Sequence, residues 1–388
     1  MRRFSRSVWL ALSLLASGCA HMRPPAPPHP LDPLSPSELQ TAFTAVLARF
    51  RADESLPREP LRFSMVVLAE PDKQLVLSWQ SGQAFPRHAE VQVLHGPSNR
   101  TWVAEVDLLA RRVVQLALQP AGTQPAITNA EFELADTLTR AYEPWQRAMR
   151  ARGIQPEHAF LDAWAPGDTR LPDELAAKLP HGHDTRLMRV LTFHRGAHAP
   201  TSTATPPQNP YDRPVEGVVV TIDLNAGQVV HMTDTVVRPV SSESGNAERT
   251  HPLRRLVVSQ PDGSDLHIEG HRVRWQGFQF YVALHPREGL VLYDVRFDDH
   301  GVLRPIAYRL SLSEIYVPYG LAEDNWSWRG AFDLGEYNAG KLAQSLEPNR
   351  DVPENAVLLD SVFFAESGPR ADNQTGSLVI PNSIALFE

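Results

Sequence analysis

Between residues 35 and 50 the apolar positions fall on one side of a helix. The run "SPSELQTAFTAVLARF" places Leu39, Phe43, Val46, Leu47 and Phe50 at helical spacing, the mark of a helix with one face on a core. Ser35 and Ser37 precede the run as candidate N-caps. The period then shortens. "LRFSMVVLAE", "KQLVLSWQ", "AEVQVLHG", "TWVAEVDLL" and "RVVQLALQP" are short, rich in Val and Leu, and parted by turn residues, so each predicts a strand. A helix followed by such a meander is an α+β unit.

The same order recurs. "NAEFELADTLTRAYEPWQRAMRARG" predicts a helix interrupted at Pro144. "AFLDAWAPG", "TRLMRVLTFHRG", "VEGVVVTIDLNAG" and "QVVHMTDTVVRP" then predict strands. "SSESGNAERTHP", Ser241 to Pro252, is polar and marks a boundary. Beyond it the text is denser in strands, with Trp275, Phe278, Phe280, Val282 and Leu284 forming an aromatic-rich run. "GLVLYDVRFDDHGV" predicts a strand whose Asp-Asp-His-Gly turn, at Asp298 and Asp299, leads into the antiparallel "RPIAYRLSLSEI".

Composition narrows the class. The 388 residues are 42% hydrophobic, enough for several cores, and carry a net charge of −8 with the acids dispersed. That excludes a nucleic-acid binder, which needs a concentrated basic face. The 34 prolines fit strand-rich units with frequent turns. At the N-terminus, Arg2, Arg3 and Arg6 precede a short apolar run, Val8 to Ala16, that ends in "LLASGC". The run is too short to cross a membrane and suits an export signal. "LLASGC" resembles a bacterial lipoprotein signal, with Cys19 as the lipidated residue and Ala16 where Leu is usual. Cys19 is the only cysteine in the chain, and lipidation accounts for an otherwise unpaired thiol in an exported protein. "RPPAPPHPLDP" reads as an extended tether. The expected organisation is therefore a signal over 1–18, a tether over 19–28, small α+β units over 29–125 and 126–240, and a strand-rich segment over 252–388. The expected location is the bacterial cell envelope, by way of the N-terminal lipid.

Several phrases, taken together, resemble the N-terminal part of the copper-containing primary amine oxidases. "HPLDPLSPSEL", "FPRHAEVQVL" and "AEVDLLARRVV" are similar to the family's first small domain. "YEPWQRAMRARGI", "RLMRVLTFHRG" and "NPYDRPVEGVVVTIDLNAGQVV" are similar to its second. "PREGLVLYDVR", "VPYG" and "FDLGEY" resemble the opening of its catalytic β-sandwich. The resemblance implies an α+β fold, with two cystatin-like helix-plus-sheet domains before the first strands of a large sandwich. It implies oxidative deamination of a primary amine to an aldehyde, with ammonia and hydrogen peroxide released, by an enzyme typically dimeric. Copper and topaquinone are its implied cofactors. By motif, Asp333 matches the carboxylate that removes a proton from the carbon beside nitrogen, a base needing shelter from water. Tyr319 matches the tyrosine whose hydroxyl bonds the quinone. Ala331 stands where many members have an aromatic gate, and "LAEDNWSWRG" lacks the usual Gly-Asp-Pro after the tyrosine.

The family's cofactor tyrosine, in Asn-Tyr-Asp or Asn-Tyr-Glu, and its three copper histidines belong downstream of these motifs, and the text stops at "IPNSIALFE" before any of them. "NPYD", Asn209 to Asp212, has an inserted proline. "HGHD", His181 to Asp184, has His-x-His spacing but reads as a solvated loop, and His194 and His198 flank another. Glu336 and Tyr337 read as framework. The sequence thus predicts a base without its electron sink, and an isolated chain that is inactive. It also predicts strand edges left open and prone to association. Two readings stay open: one piece of an amine oxidase, or a membrane-tethered lipoprotein acting as a non-catalytic binding or scaffolding module.

Overall fold

The computed structural model describes residues 29–58, 60–167, 171–195, 210–240, 257, 259–322, 325–365, 371–372 and 376–388. Cys19, the signal and the tether lie outside the described residues, as do His198, Asn209 and the boundary segment 241–252. The architecture is α+β, with few helices and several antiparallel sheets.

Helix α1 (Pro36–Ala52) starts where the sequence predicts. Ser35 is its cap: the Ser35 hydroxyl accepts from the Glu38 N–H, and Glu38 accepts in return from the Ser35 N–H at 2.8 Å. Strands β1 (Leu61–Ala69), β2 (His88–His95), β3 (Arg100–Asp107) and β4 (Arg112–Leu118) form one antiparallel sheet in chain order. Leu39, Val46 and Phe50 of α1 pack on Val91, Val93, Ala104 and Val106. "KQLVLSWQ" does not become a strand. It forms helix α2 (Lys73–Ser78), because the Asp72 side chain accepts from the N–H groups of Gln74 and Leu75 and starts a turn. Only Val76 of that helix is buried.

Helices α3 (Asn129–Ala141) and α4 (Glu143–Ala151) break at Tyr142, with Pro144 in the first turn of α4, where a missing N–H costs nothing. Strands β5 (Ala159–Trp164), β6 (Leu187–His194), β7 (Pro214–Asp223) and β8 (Gln228–Asp234) make the second sheet; the short helix α5 (Asp173–Ala176) lies between β5 and β6. β6 and β7 are buried on both faces. Trp145 and Met149 cover one side with Met188 and Val190; Trp328, from far along the chain, covers Leu191, Phe193 and Val219 on the other.

Strands β9 (His267–Glu269), β10 (Arg272–Trp275), β11 (Phe278–His285), β12 (Gly289–Asp299) and β13 (Val302–Leu310) form a five-stranded sheet. The predicted turn is present, with the Gly301 N–H donating to Asp298 at 2.6 Å. A ribbon of β14 (Tyr316–Pro318) and β15 (Gly330–Phe332) runs into helix α6 (Asp333–Tyr337). Strands β16 (Val357–Phe364), β17 (Ala371–Asp372) and β18 (Ser377–Leu386) form a last sheet in the order β16-β18-β17. Ile384 and Leu359 pack on Val273 and Val282, giving two stacked layers. β13 is an edge among the described residues, with Val302 and Ile306 each 59% exposed.

Candidate functional site

The ribbon fixes where the motif residues stand. Tyr316 pairs with Phe332, Val317 with Ala331 and Pro318 with Gly330. Beyond one end the Asp333 N–H donates to the Ile315 carbonyl at 2.9 Å; beyond the other the Tyr319 N–H donates to the Arg329 carbonyl at 3.1 Å. Asp333 and Tyr319 therefore sit at opposite ends of the same ribbon. Four residue steps separate them, roughly 13 Å at strand rise. The structure does not bring the two into contact. Asp333 is half-buried, and Ala331 is 2% exposed.

Asp333 opens α6, and a second carboxylate serves that helix end. Glu314 accepts from the Leu334 N–H at 2.8 Å and the Gly335 N–H at 3.0 Å, so the free N–H groups of the first turn are met from outside the helix. Glu336 accepts from the Phe332 N–H at 3.0 Å. Burial, with Glu314 and Asp333 close by, raises the Glu336 pKa above the ordinary carboxylate range. No hydrogen bond or ion pair holds the Asp333 carboxylate among the described residues. Tyr337 is framework: its hydroxyl accepts from the Ala165 N–H at 2.8 Å, and its pKa is raised by burial.

Tyr319 is 39% exposed and meets Trp164 edge to face at 5.4 Å. The Arg329 guanidinium lies 4.3 Å from the Tyr319 ring, 3.8 Å from Trp164 and 4.3 Å from Trp326. Arg329 is 6% exposed, and burial lowers its pKa while these rings supply cation–π attraction. Asp162, held by the Trp164 indole N–H at 2.7 Å, is raised by burial. Sequence reasoning did not find Glu314 or Arg329. Glu314 lies twenty and twenty-one residues from the N–H groups it binds, and Arg329 packs on Trp164 of β5 as well as on Tyr319 and Trp326 near it in the chain.

Among the described residues the histidines do not assemble. His181 bonds the Pro97 carbonyl and His183 bonds Asp173. Among the described residues no three His, Cys, Asp or Glu side chains are placed to hold a metal ion, so these residues do not fit a copper site.

A helix-backed pair of small antiparallel sheets and a two-layer β segment, with a carboxylate at the ribbon's end, define an α+β scaffold. Residues 29–117 match the copper amine oxidase N2 domain and 267–388 the copper amine oxidase enzyme domain. The primary amine oxidase of Arthrobacter sp. (strain P1) is 32% identical over 367 residues, covering 93% of this chain and 52% of that protein. A peroxisomal copper-containing amine oxidase (alpha 2) of Arabidopsis thaliana is 30% identical over 384 residues, covering 93% of this chain and 51% of its own length. The fold matches a crystal structure of a copper-containing benzylamine oxidase from Hansenula polymorpha, with a TM-score of 0.71 at 24% identity, over 92% of this chain and 55% of that one. The chain spans about half the length of the curated relatives it matches. It belongs to the copper amine oxidase family, whose members use copper and topaquinone.

Proposed function

We propose that this chain supplies the carboxylate base, Asp333, of a copper-containing primary amine oxidase. The substrate would be a primary amine; the products would be an aldehyde, ammonia and hydrogen peroxide. The observation that carries this reading is the state of Asp333. It is half-buried at the first position of α6, yet the N–H groups there are served by Glu314, and nothing holds its own carboxylate. A sheltered carboxylate that folding does not consume is available to take a proton. Tyr319, packed by Trp164 and Arg329, is the proposed orienting group at the other end of the ribbon. Among the described residues no three His, Cys, Asp or Glu side chains are grouped to bind a metal ion, so in this proposal other residues would supply the copper and quinone chemistry.

The test is peroxide release from a primary amine by the copper-loaded protein in which this chain is completed by a segment carrying the cofactor tyrosine and the copper histidines. Turnover is expected, and Asp333→Asn should lower it by about 10²-fold or more with no loss of stability, since no partner is abandoned. Full turnover by Asp333→Asn would sink the assignment. Export and lipid anchoring at Cys19 belong to the proposal on the strength of the N-terminal residues alone; Cys19→Ala should release the protein from membranes. A homodimer is also proposed, and sedimentation of the amine-oxidising protein would check it.

A further inference from the structure

A cavity of about 60 Å³ lies where the three sheet systems meet. Phe63 comes from the first sheet, Ile127 and Phe132 from the entry to the second, and Phe364 and Leu378 from the last, so its wall is largely apolar. One cation lines it, Lys341. The sequence holds only three lysines, Lys73, Lys178 and Lys341, against 37 basic residues in all. The other two are exposed.

Lys341 is held tightly. It lies in a 3₁₀ turn, Ala339–Leu342, that follows Asn338 at φ 53°. Its N–H donates to the carbonyls of Pro286 and Asn338 at 3.0 and 2.8 Å. Gly340 packs its backbone so close to the His285 carbonyl that a Cβ there would lie 1.9 Å from the oxygen. The side chain ends on the Ser64 carbonyl, to which Nζ donates at 2.6 Å. No carboxylate pairs with it among the described residues. Burial without an anion pushes the Lys341 pKa down to about 8.

We propose that Lys341 is a covalent site for small apolar aldehydes, which enter this cavity and condense with Nζ. The amine attacks the carbonyl carbon, the C=O bond is replaced by C=N, and the oxygen leaves as water with the two amine hydrogens. The step needs no oxidant or reductant. Two features favour it. A lysine desolvated in an apolar pocket keeps a larger neutral, nucleophilic fraction. The imine also replaces a buried charge by a neutral group, which removes the cost of that burial. The cavity size limits the ligand to a few heavy atoms beyond the carbonyl. The choice of an aldehyde rests on the amine-oxidase reading, whose product is one; the reactive amine does not.

The full chain, without copper or amine, is treated with propanal and cyanoborohydride at pH 7.5, and the three lysines are compared by peptide mapping. Lys341 is expected to be propylated about tenfold or more faster than Lys73 and Lys178. Leu378→Trp, which fills the cavity, should abolish the preference while leaving the two exposed lysines unchanged. Equal or slower reaction at Lys341 overturns the proposal, and so does an undiminished preference in Leu378→Trp. Because no turnover is measured, failure here leaves the assignment of Asp333 standing.

Discussion

Arg186→Met should cost this protein several kcal/mol, and the cost should depend on pH in a defined way. Glu131 is wholly buried at the start of α3. Arg186 binds it through two nitrogens, at 2.6 and 2.9 Å; Arg62 of β1 adds a third bond at 2.8 Å. The Arg186 guanidinium also donates to the Pro125 and Ala126 carbonyls. Burial alone would raise the Glu131 pKa, but the arginines and the Thr128 N–H outweigh it and bring the pKa down to about 2. Against the ordinary 4.5, that favours the ionised folded form by about 3 kcal/mol. Removing one partner of a buried pair strands the other, typically for about 3–5 kcal/mol, so about 3–4 kcal/mol is expected at pH 7. The folded pKa is depressed, so this stability is fully present above pH 4.5 and is lost as pH falls toward 2. The gap between wild type and Arg186→Met should therefore narrow by about 1.4 kcal/mol per pH unit below 4.5. Arg186→Met with Glu131→Gln should recover part of the loss, since no buried charge remains. Urea unfolding followed by tryptophan fluorescence and far-UV circular dichroism measures each term, coincidence of the two probes testing for a single transition. A loss under 1 kcal/mol, or a gap unchanged from pH 7 to pH 3, refutes the reasoning.

Three other substitutions probe the same junctions. Gly340→Ala forces a Cβ onto the His285 carbonyl and should destabilise by about 2 kcal/mol or more, visible as a lower thermal midpoint. Tyr337→Phe leaves the Ala165 N–H without its acceptor and should cost about 1–3 kcal/mol in urea unfolding. Lys341→Met should stabilise by about 1–2 kcal/mol at pH 7, the relief of burial offset in part by the lost bond to Ser64. Here the folded pKa, about 8, lies below the unfolded one. The wild type thus gains stability as pH rises from 8 to 10.5, and the variant's advantage should shrink over that window.

Much of the scaffold is legible along the chain, because periodicity and capping are local. Ser35 with Glu38 announces α1, and Pro144 announces the break between α3 and α4. The strands from Leu61 to Leu310 follow their Val and Leu runs, apart from Lys73–Ser78, where an aspartate cap outweighs β-prone residues. Thr128 and Glu131 have capping-box spacing too, and both bonds form. What the spacing cannot show is that Glu131 also binds Arg186 and Arg62, 55 and 69 residues away. The site is less legible for the same reason. Motif resemblance marks Asp333 and Tyr319, but the ribbon register that parts them and the Glu314 carboxylate that frees Asp333 are tertiary facts.

The long-range bonds give the two small units a role in the site. Between Asn325 and Lys341, the segment that carries Asp333 is fastened on both sides. Asn325 accepts from the Gly217 N–H at 2.9 Å, and Trp328 closes the open face of β6 and β7. At Gly167 a Cβ would lie 1.8 Å from the Trp328 carbonyl, so backbone meets backbone there. The Glu336 carbonyl accepts from the Ile127 N–H at 2.8 Å, Tyr337 holds Ala165, and Lys341 holds Ser64. The proposed base must be fixed to within a fraction of an ångström. Helix α6 has five residues, too few to be stable unaided. Its position, and that of the Asp333 carboxylate, is set by contacts to both preceding sheets, so damage to the Glu131 junction should be felt at Asp333 without any change in the residues around it.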